Sequence, residues 1–359
     1  MTTFKKYLLI SLIIASLNAV ILLVFFVPRF NHTDTQEYIS TIEYIAGKQE
    51  AELVVYRLLK PFPIFISVAL SPFLNAKDAL IFQNLIFYLL SVWLIYLLVY
   101  KLYKNEKQAF YGTLLYIGAY PMLAYGLAAL TDLSGWFFYL LSILISLRLV
   151  KTPRIKTAFL AGFIAGLGML FKENLGAAPI FFVSLVFIAT NLPIKEKLKY
   201  IIIFGISFTI LPLINNLILY KFYSYSYLHW FLQNWHSGLA YTALRIFIET
   251  ARVFLLGWLF VFWGICKEFA TKDNERTKIL LALLPSSLSF FLWAFPHNRI
   301  MFIAAPLLVL LGSFGLLRRY KNSKINKTVE LALLFLYLLV NYAILEFLLG
   351  YGVFLQDKF

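Results

Sequence analysis

The chain has 359 residues, 62% of them hydrophobic and 14% charged, with a formal net charge of +15. Soluble domains carry roughly 25% charged residues, so this composition excludes a water-soluble globular core. Lipid as solvent leaves only helices or closed barrels. Barrel strands alternate apolar and polar positions over about ten residues, whereas the apolar runs here are continuous and approach the roughly 20 residues a crossing helix needs. The chain therefore reads as all-α, a single polytopic transmembrane domain over 1–359. The one cysteine, Cys266, excludes an internal disulfide and a cysteine-based zinc site.

In chain order, Lys5 and Lys6 precede an apolar run over 7–27. It is too long for a signal-peptide core and lacks a small-residue cleavage site, so it is expected to be an uncleaved first span. The segment 28–60 is the longest polar stretch, with Asp34, Glu37, Glu43, Glu50 and Glu52 among Tyr38 and Tyr44. The spacing of Tyr38, Ile42 and Ile45 predicts a helix lying on the membrane surface, with Glu37 and Lys48 away from the apolar face. Asp34 follows the first span closely. Partial desolvation there is expected to raise its pKa and make proton abstraction feasible. Arg57 and Lys60 then precede a proline-broken segment, 61–74, read as interfacial or re-entrant. Paired guanidinium donors and an ammonium point charge suit a lipid phosphate, or else snorkel from a helix end.

Spans are expected at 79–100, 108–127 and 131–149. Asp132 sits where the last two meet, either as a helix N-cap or as a functional carboxylate at the interface. Spans at 157–171 and 176–192 are joined by Lys172 and Glu173, read as a site pair or a local ion pair. Gly162 and Gly166 form a small-xxx-small stripe for helix packing. After a span at 199–219 comes a second outer loop, 220–245, dense in aromatics and carrying His229, Trp235 and His236. It reads as an interfacial belt or as a sugar platform. Arg245, Glu249 and Arg252 follow at helical spacing and could pair with one another. Further spans are expected at 246–265, 279–295, 300–317 and 328–349, which makes about eleven in all. His297, Asn298 and Arg299 are the whole outer link before 300–317. They could cap the helix or meet a phosphate or sugar.

With the N-terminus in the cytoplasm, 21 of the 32 Lys and Arg and only 6 of the 17 Asp and Glu fall in the cytoplasmic loops, so the whole net charge lies on one face. That asymmetry orients the bundle, places 350–359 outside and assigns the basic loops to anionic headgroups rather than to nucleic acid. No Walker loop, dinucleotide fingerprint, HExxH or serine-hydrolase elbow occurs, and the 4 histidines are too scattered for a metal site. Asp34 and Glu37 leave room for a divalent cation. A transporter or lipid flippase is the competing class, but it calls for repeated halves and mid-membrane charges. A surface-polysaccharide polymerase or ligase would carry a larger outer loop late in the chain.

Five weak motifs recur in a known order: Asp34-x-x-x-Tyr38, Arg57 to Pro63, Thr131-Asp132, Gly166 to Glu173, and His297-Asn298-Arg299 through Pro306. The layout over residues 7–317 resembles the GT-C glycosyltransferases, in the branch of protein O-mannosyltransferases and lipid A aminoarabinose transferases. The resemblance implies a polyprenyl-phosphate sugar donor, a lipid, glycan or protein acceptor, and inverting transfer on the non-cytoplasmic side of the plasma membrane. It makes Asp34 the general base and gives the donor phosphate to Lys60 and Arg57. Asp132 and Lys172 shape the site, and His297 or Arg299 contacts donor or acceptor. Many relatives carry a second acidic residue where Thr35 stands here, and Glu37 is the available substitute. The short chain, without a large C-terminal soluble domain, argues against peptide O-mannosylation.

Overall fold

A computed structural model describes residues 2–30, 32–238, 243–271, 273–292, 297–317 and 323–350, and among these every regular element is helical. The principal helices are α1 (Thr3–Ile21), α2 (Thr33–Ile45), α3 (Pro61–Leu70), α4 (Ala76–Tyr103), α5 (Glu106–Ile117), α6 (Tyr120–Tyr125), α7 (Asp132–Ser146) and α8 (Ile155–Met169). They continue as α9 (Ala177–Ala189), α10 (Ile194–Tyr223), α11 (Tyr227–Gly238), α12 (Ala243–Phe254), α13 (Gly257–Thr271), α14 (Asn274–Ser287), α15 (Ala305–Leu316) and α16 (Ser323–Gly350). Among the described residues six helical stretches are long and apolar enough to cross a membrane, or seven if the bent pair α12–α13 counts as one span. The chain is a multi-pass membrane protein.

Helix boundaries follow from side-chain caps. Asn75 accepts from the Asp78 N–H at 2.9 Å to start α4, and Asn105 accepts from the Gln108 N–H at 2.9 Å to start α5. Lys104, at φ 53°, turns the chain between them in a left-handed cap. With 28 residues, α4 is about 42 Å long and ties the two ends of the bundle together.

α7 and the stretch Asn298–Leu316 are the most enclosed, whereas α10 is the most outward-facing. Exposed Ile202, Ile206, Ile210 and Leu217 on α10, like Leu9 and Leu17 on α1, find their solvent in lipid. Without a hydrophobic drive between helices in lipid, close backbone approach and polar contacts hold the bundle. A Cβ at Gly162 would stand 2.4 Å from the Phe204 carbonyl oxygen, and one at Gly166 would stand 2.3 Å from that of Phe208. The expected small-residue stripe is thus the α8–α10 seam. Asn18 donates to the Tyr88 hydroxyl at 2.7 Å, and the Tyr337 hydroxyl donates to the Leu115 carbonyl at 2.8 Å.

Two expected spans are broken. The run 108–127 stops being helical at Gly118, where a Cβ would lie 2.4 Å from Leu338 Cδ2. It resumes as short α6 and then runs irregularly from 126 to 131. Irregular backbone at membrane depth survives only where protein satisfies it. Asn84 Nδ2 does so by donating to the Ala128 and Leu130 carbonyls at 2.5 and 2.8 Å, and Thr35 Oγ1 donates to Ala129 at 3.2 Å. The run 246–265 bends by 83° between α12 and α13. Leu255 sits at φ 43° in the bend, and Trp258 Nε1 donates across it to the Thr250 carbonyl at 3.1 Å. Glu249 and Arg252 on α12 explain the break, because a straight span would carry both into hydrocarbon. Residues 293–296 of the expected span 279–295, and the tail 351–359, lie outside the described residues.

Candidate active site

The polar links that the sequence puts on the outer face meet at one end of the bundle. α2 does not float on the membrane surface. Its Tyr38 and Ile42 are buried in a cluster with Leu58, Leu59, Ile64 and Leu80, so the apolar face docks on protein. The docking brings Glu37 inward, contrary to its expected outward position. The Tyr38 hydroxyl lies 3.0 Å from Thr131 Oγ1, which couples the acidic helix to the Thr131-Asp132 corner.

Arg57 is 4% exposed, and its guanidinium is enclosed by the Tyr38 and Tyr56 rings at 4.6 and 4.9 Å. It donates to Asp34 Oδ1 at 2.6 Å and from Nε to Glu37 Oε2 at 2.8 Å. Its fork is committed to two carboxylates, which makes it their anchor before it is anything else. Arg299 Nη1 reaches the other Asp34 oxygen at 2.9 Å. A second chain of charges adjoins the first. Lys60 Nζ is 2.8 Å from Glu173 Oε2, Lys172 Nζ is 3.1 Å from Asp132 Oδ1, and Lys172 lies 3.9 Å from Glu173 Oε1. Lys60, Lys172, Asp132 and Glu173 are all under a tenth exposed. Four cations and four carboxylates therefore share one formally neutral constellation, buried around Lys172 and opening to solvent at Glu37, whose side chain is 36% exposed.

The backbone around it is pinned. Asn215 of α10 donates to the Leu58 and Leu59 carbonyls at 3.2 and 3.4 Å, and the Phe62 N–H donates to Leu170 at 3.3 Å. Pro61 opens α3 immediately after Lys60, where its missing N–H costs nothing. Glu249 of α12, 4% exposed, accepts from both the Asn298 N–H (3.1 Å) and Asn298 Nδ2 (2.7 Å). It lies 3.6 Å from His297 Nδ1 and pairs with Arg252 at 3.1 Å. This anchors the turn that delivers Arg299 to Asp34. Trp230 of α11 lies over Lys60 at 5.8 Å. The side chains of Trp235 and His236 on the same helix lie outside the described residues.

The electrostatics correct one expectation. Burial alone would raise the Asp34 pKa, but the charges of Arg299, Arg57 and Lys172 and the Arg57 hydrogen bond outweigh it and hold the carboxyl well below the ordinary range. Burial likewise opposes the charged form of Glu173, and Lys172 and Lys60 overcome it to hold its pKa at about 2. Burial would lower the Lys172 pKa, yet Asp132 and Glu173 raise it. All of these groups are charged at neutral pH.

The donor set does not fit a resident divalent cation. Asp34 and Glu37 spend their oxygens on guanidinium groups, and no group of three His, Cys, Asp or Glu side chains converges among the described residues.

The fold is a polytopic helical bundle of GT-C-like arrangement. Within it, residues 61–218 match the model of the dolichyl-phosphate-mannose-protein mannosyltransferase family. That segment contains Asp132, Lys172 and Glu173, while Asp34, Arg57, Lys60 and Arg299 lie outside it. The chain is similar in fold to the archaeal oligosaccharyltransferase AglB from Archaeoglobus fulgidus in complex with an inhibitory peptide and a dolichol-phosphate (TM-score 0.63, 15% identity, 96% of this chain covered). It spans just over half, 56%, of the AglB chain. It is also similar in fold to ArnT from Cupriavidus metallidurans bound to undecaprenyl phosphate (TM-score 0.66, 11% identity, 98% of this chain and 73% of that one). No curated protein sequence matches the chain.

Proposed function

We propose that the protein is a membrane glycosyltransferase that moves a sugar from a polyprenyl-phosphate donor to an acceptor hydroxyl, with inversion, at the non-cytoplasmic boundary of the plasma membrane. The observation that carries this reading is the convergence of Asp34, Lys60, Asp132, Lys172 and Arg299, from four outer links of the chain, in one largely enclosed ionic site. The similarity to chains whose structures hold dolichol-phosphate and undecaprenyl phosphate supports a lipid phosphate as the carrier. A transporter is not favoured, because the buried charges named here gather at the ends of the bundle rather than at its midplane.

In the proposed reaction the acceptor oxygen attacks the anomeric carbon, the sugar–phosphate C–O bond breaks, and the acceptor proton passes to Asp34. The departing polyprenyl phosphate gains one negative charge, which Lys60 and Lys172 offset in a site where water is scarce. A leaving group this stable needs cations rather than a strong acid. In the ligand-free site Asp34 is a poor base, because Arg57 and Arg299 neutralise it. An incoming phosphate competes for Arg299, and releasing that cation restores basicity to Asp34 when the donor is in place. The basic loops then face the cytoplasm with the N-terminus, and lipid, glycan or protein acceptors enter from the opposite side. Glu37 and Tyr38 border that entry.

Transfer from radiolabelled polyprenyl-phosphate hexoses tests the reading. Asp34→Asn is expected to lower turnover by about 10²- to 10⁴-fold while leaving donor binding intact. Undiminished turnover removes Asp34 as base.

A further inference from the structure

Native interiors pair the large majority of their buried polar side-chain atoms, yet three such atoms without a hydrogen bond lie on or against one face of α7. They are Trp136 Nε1 and Nδ2 and Oδ1 of Asn174, and beside them Asp132 has Lys172 at 3.1 Å from one oxygen and no hydrogen bond on the other. Asp132, Trp136 and Asn174 are 1%, 3% and 2% exposed. Asp132 and Trp136 stand one turn apart on the helix, and Gly135 lies between them on the same face. A Cβ at Gly135 would meet Asn174 Oδ1 at 2.5 Å and Lys172 Cβ at 2.7 Å, so the 172–174 link presses directly onto this face. The Trp136 ring is braced edge-on by Phe302 at 4.6 Å, and Phe302 in turn stacks on Tyr116 at 5.4 Å.

We propose that Asn174 and Trp136, together with Asp132, form the subsite that reads the hydroxyl groups of the donor sugar. The inference rests on the transferase reading above and adds to it a specificity-determining pair. The donor–acceptor balance selects the ligand. The indole N–H only donates, the carboxylate only accepts, and the Asn amide does both. A sugar ring with vicinal hydroxyls, each able to donate and accept, completes all of them. A phosphate brings acceptors only and negative charge, which Asp132 repels, and a prenyl chain offers nothing. The position agrees with the chemistry. Lys172, one of the two cations assigned to the phosphate, lies 3.1 Å from Asp132 and so joins this face to the phosphate site, while Lys60 is held by Glu173 at 2.8 Å. The sugar therefore lies one step beyond its own phosphate.

The test uses the full chain in detergent, with undecaprenyl phosphate alone and with undecaprenyl-phosphate mannose, glucose and galactose as probes. Wild type is expected to bind one epimer several-fold better than the others. Trp136→Phe and Asn174→Leu each weaken that preferred lipid sugar about tenfold, flatten the discrimination, and leave bare undecaprenyl phosphate within about twofold. Neither variant loses a hydrogen bond in the ligand-free protein, and Trp136→Phe opens a small cavity beside Phe302, so a modest fall in melting temperature with unchanged bare-lipid binding is expected for it. Asn174→Asp, which keeps volume and an acceptor, replaces the leucine variant if that one does not fold. Unchanged sugar-lipid affinity and discrimination in the variants overturn the proposal, and so do equal losses for the bare and the sugar-bearing lipid. A wild type that binds both lipids equally tightly overturns this subsite alone, whereas one that binds neither overturns the transferase reading with it.

Discussion

Charge is buried at both ends of the bundle, but it is satisfied differently. At the end carrying the basic loops, Glu268 accepts from Arg276 Nε on both oxygens at 2.9 Å and from Thr277 Oγ1 at 2.9 Å. Arg276 also lies 5.0 Å from the Tyr103 and Phe314 rings, and Lys267 donates to the Phe314 and Gly315 carbonyls at 2.9 and 3.1 Å. Glu268 is fully engaged by partners within ten residues, and buried Glu330 at the same end accepts from the Tyr111 hydroxyl at 2.8 Å and pairs with Lys107. At the other end the partners come from distant segments, and Asp132, 1% exposed, has Lys172 at 3.1 Å from one oxygen and no hydrogen bond on the other. A saturated ion pair fixes a loop. A compensated but unsaturated chain of charges retains capacity for a ligand, and that distinction separates the site from the scaffold.

Breaking single partners at each end gives the largest contrast. Lys172→Met leaves Asp132 buried without its counter-ion, and a loss of about 3–5 kcal/mol is expected in thermal unfolding in detergent, together with lost transfer. Glu268→Gln keeps the size and part of the hydrogen bonding, and about 1–2 kcal/mol is expected with transfer retained. Equal losses at both ends would erase the comparison. Next in size is the seam that carries the site: Gly162→Ala forces a Cβ to 2.4 Å from the Phe204 carbonyl oxygen. A stability loss of about 1–3 kcal/mol is expected, with transfer falling only as the folded fraction falls.

The smallest effect is in pH. Asp34 and Glu173 have folded pKa values below their ordinary ones, the latter at about 2. A depressed carboxyl stabilises the fold fully above its unfolded pKa and loses that contribution as pH falls through the folded value. Stability is therefore expected to be flat from pH 7 down to about 5 and to drop only below the ordinary carboxylate range of about 4. An unfolding transition near pH 6 would contradict the ionised, cation-held state of these groups.

Much of the membership of the candidate site was legible in the sequence. Asp34, Arg57, Lys60, Asp132, Lys172 and Arg299 stand out because charged residues next to long apolar runs are few, and the asymmetry of Lys and Arg sorts them onto one face. Their pairing was not legible. Glu37 looks outward on a helical wheel, but the wheel cannot show that α2 docks on Leu58 and Leu59 and turns that edge toward Arg57. The sense of the Asp34 shift was missed for the same reason, since desolvation is visible from position while Arg299 arrives from a distant segment. The breaks at Gly118 and Leu255 were hidden by hydropathy, which counts apolar residues and not direction. Asn84, Asn215 and Glu249 act by holding backbone or a turn in place, and a lone polar residue in an apolar run carries no mark of what it holds. Asn174 and Trp136 gave no signal, being ordinary residues within or beside apolar segments.

The central claim is that Lys60 and its neighbours hold the phosphate of a polyprenyl carrier. The affinity of the intact protein for undecaprenyl phosphate, measured beside that of Lys60→Met, tests it most directly. Saturable binding by wild type that weakens at least about tenfold in the variant is the expected result. Identical affinity in the two proteins, or no binding by wild type, would contradict it.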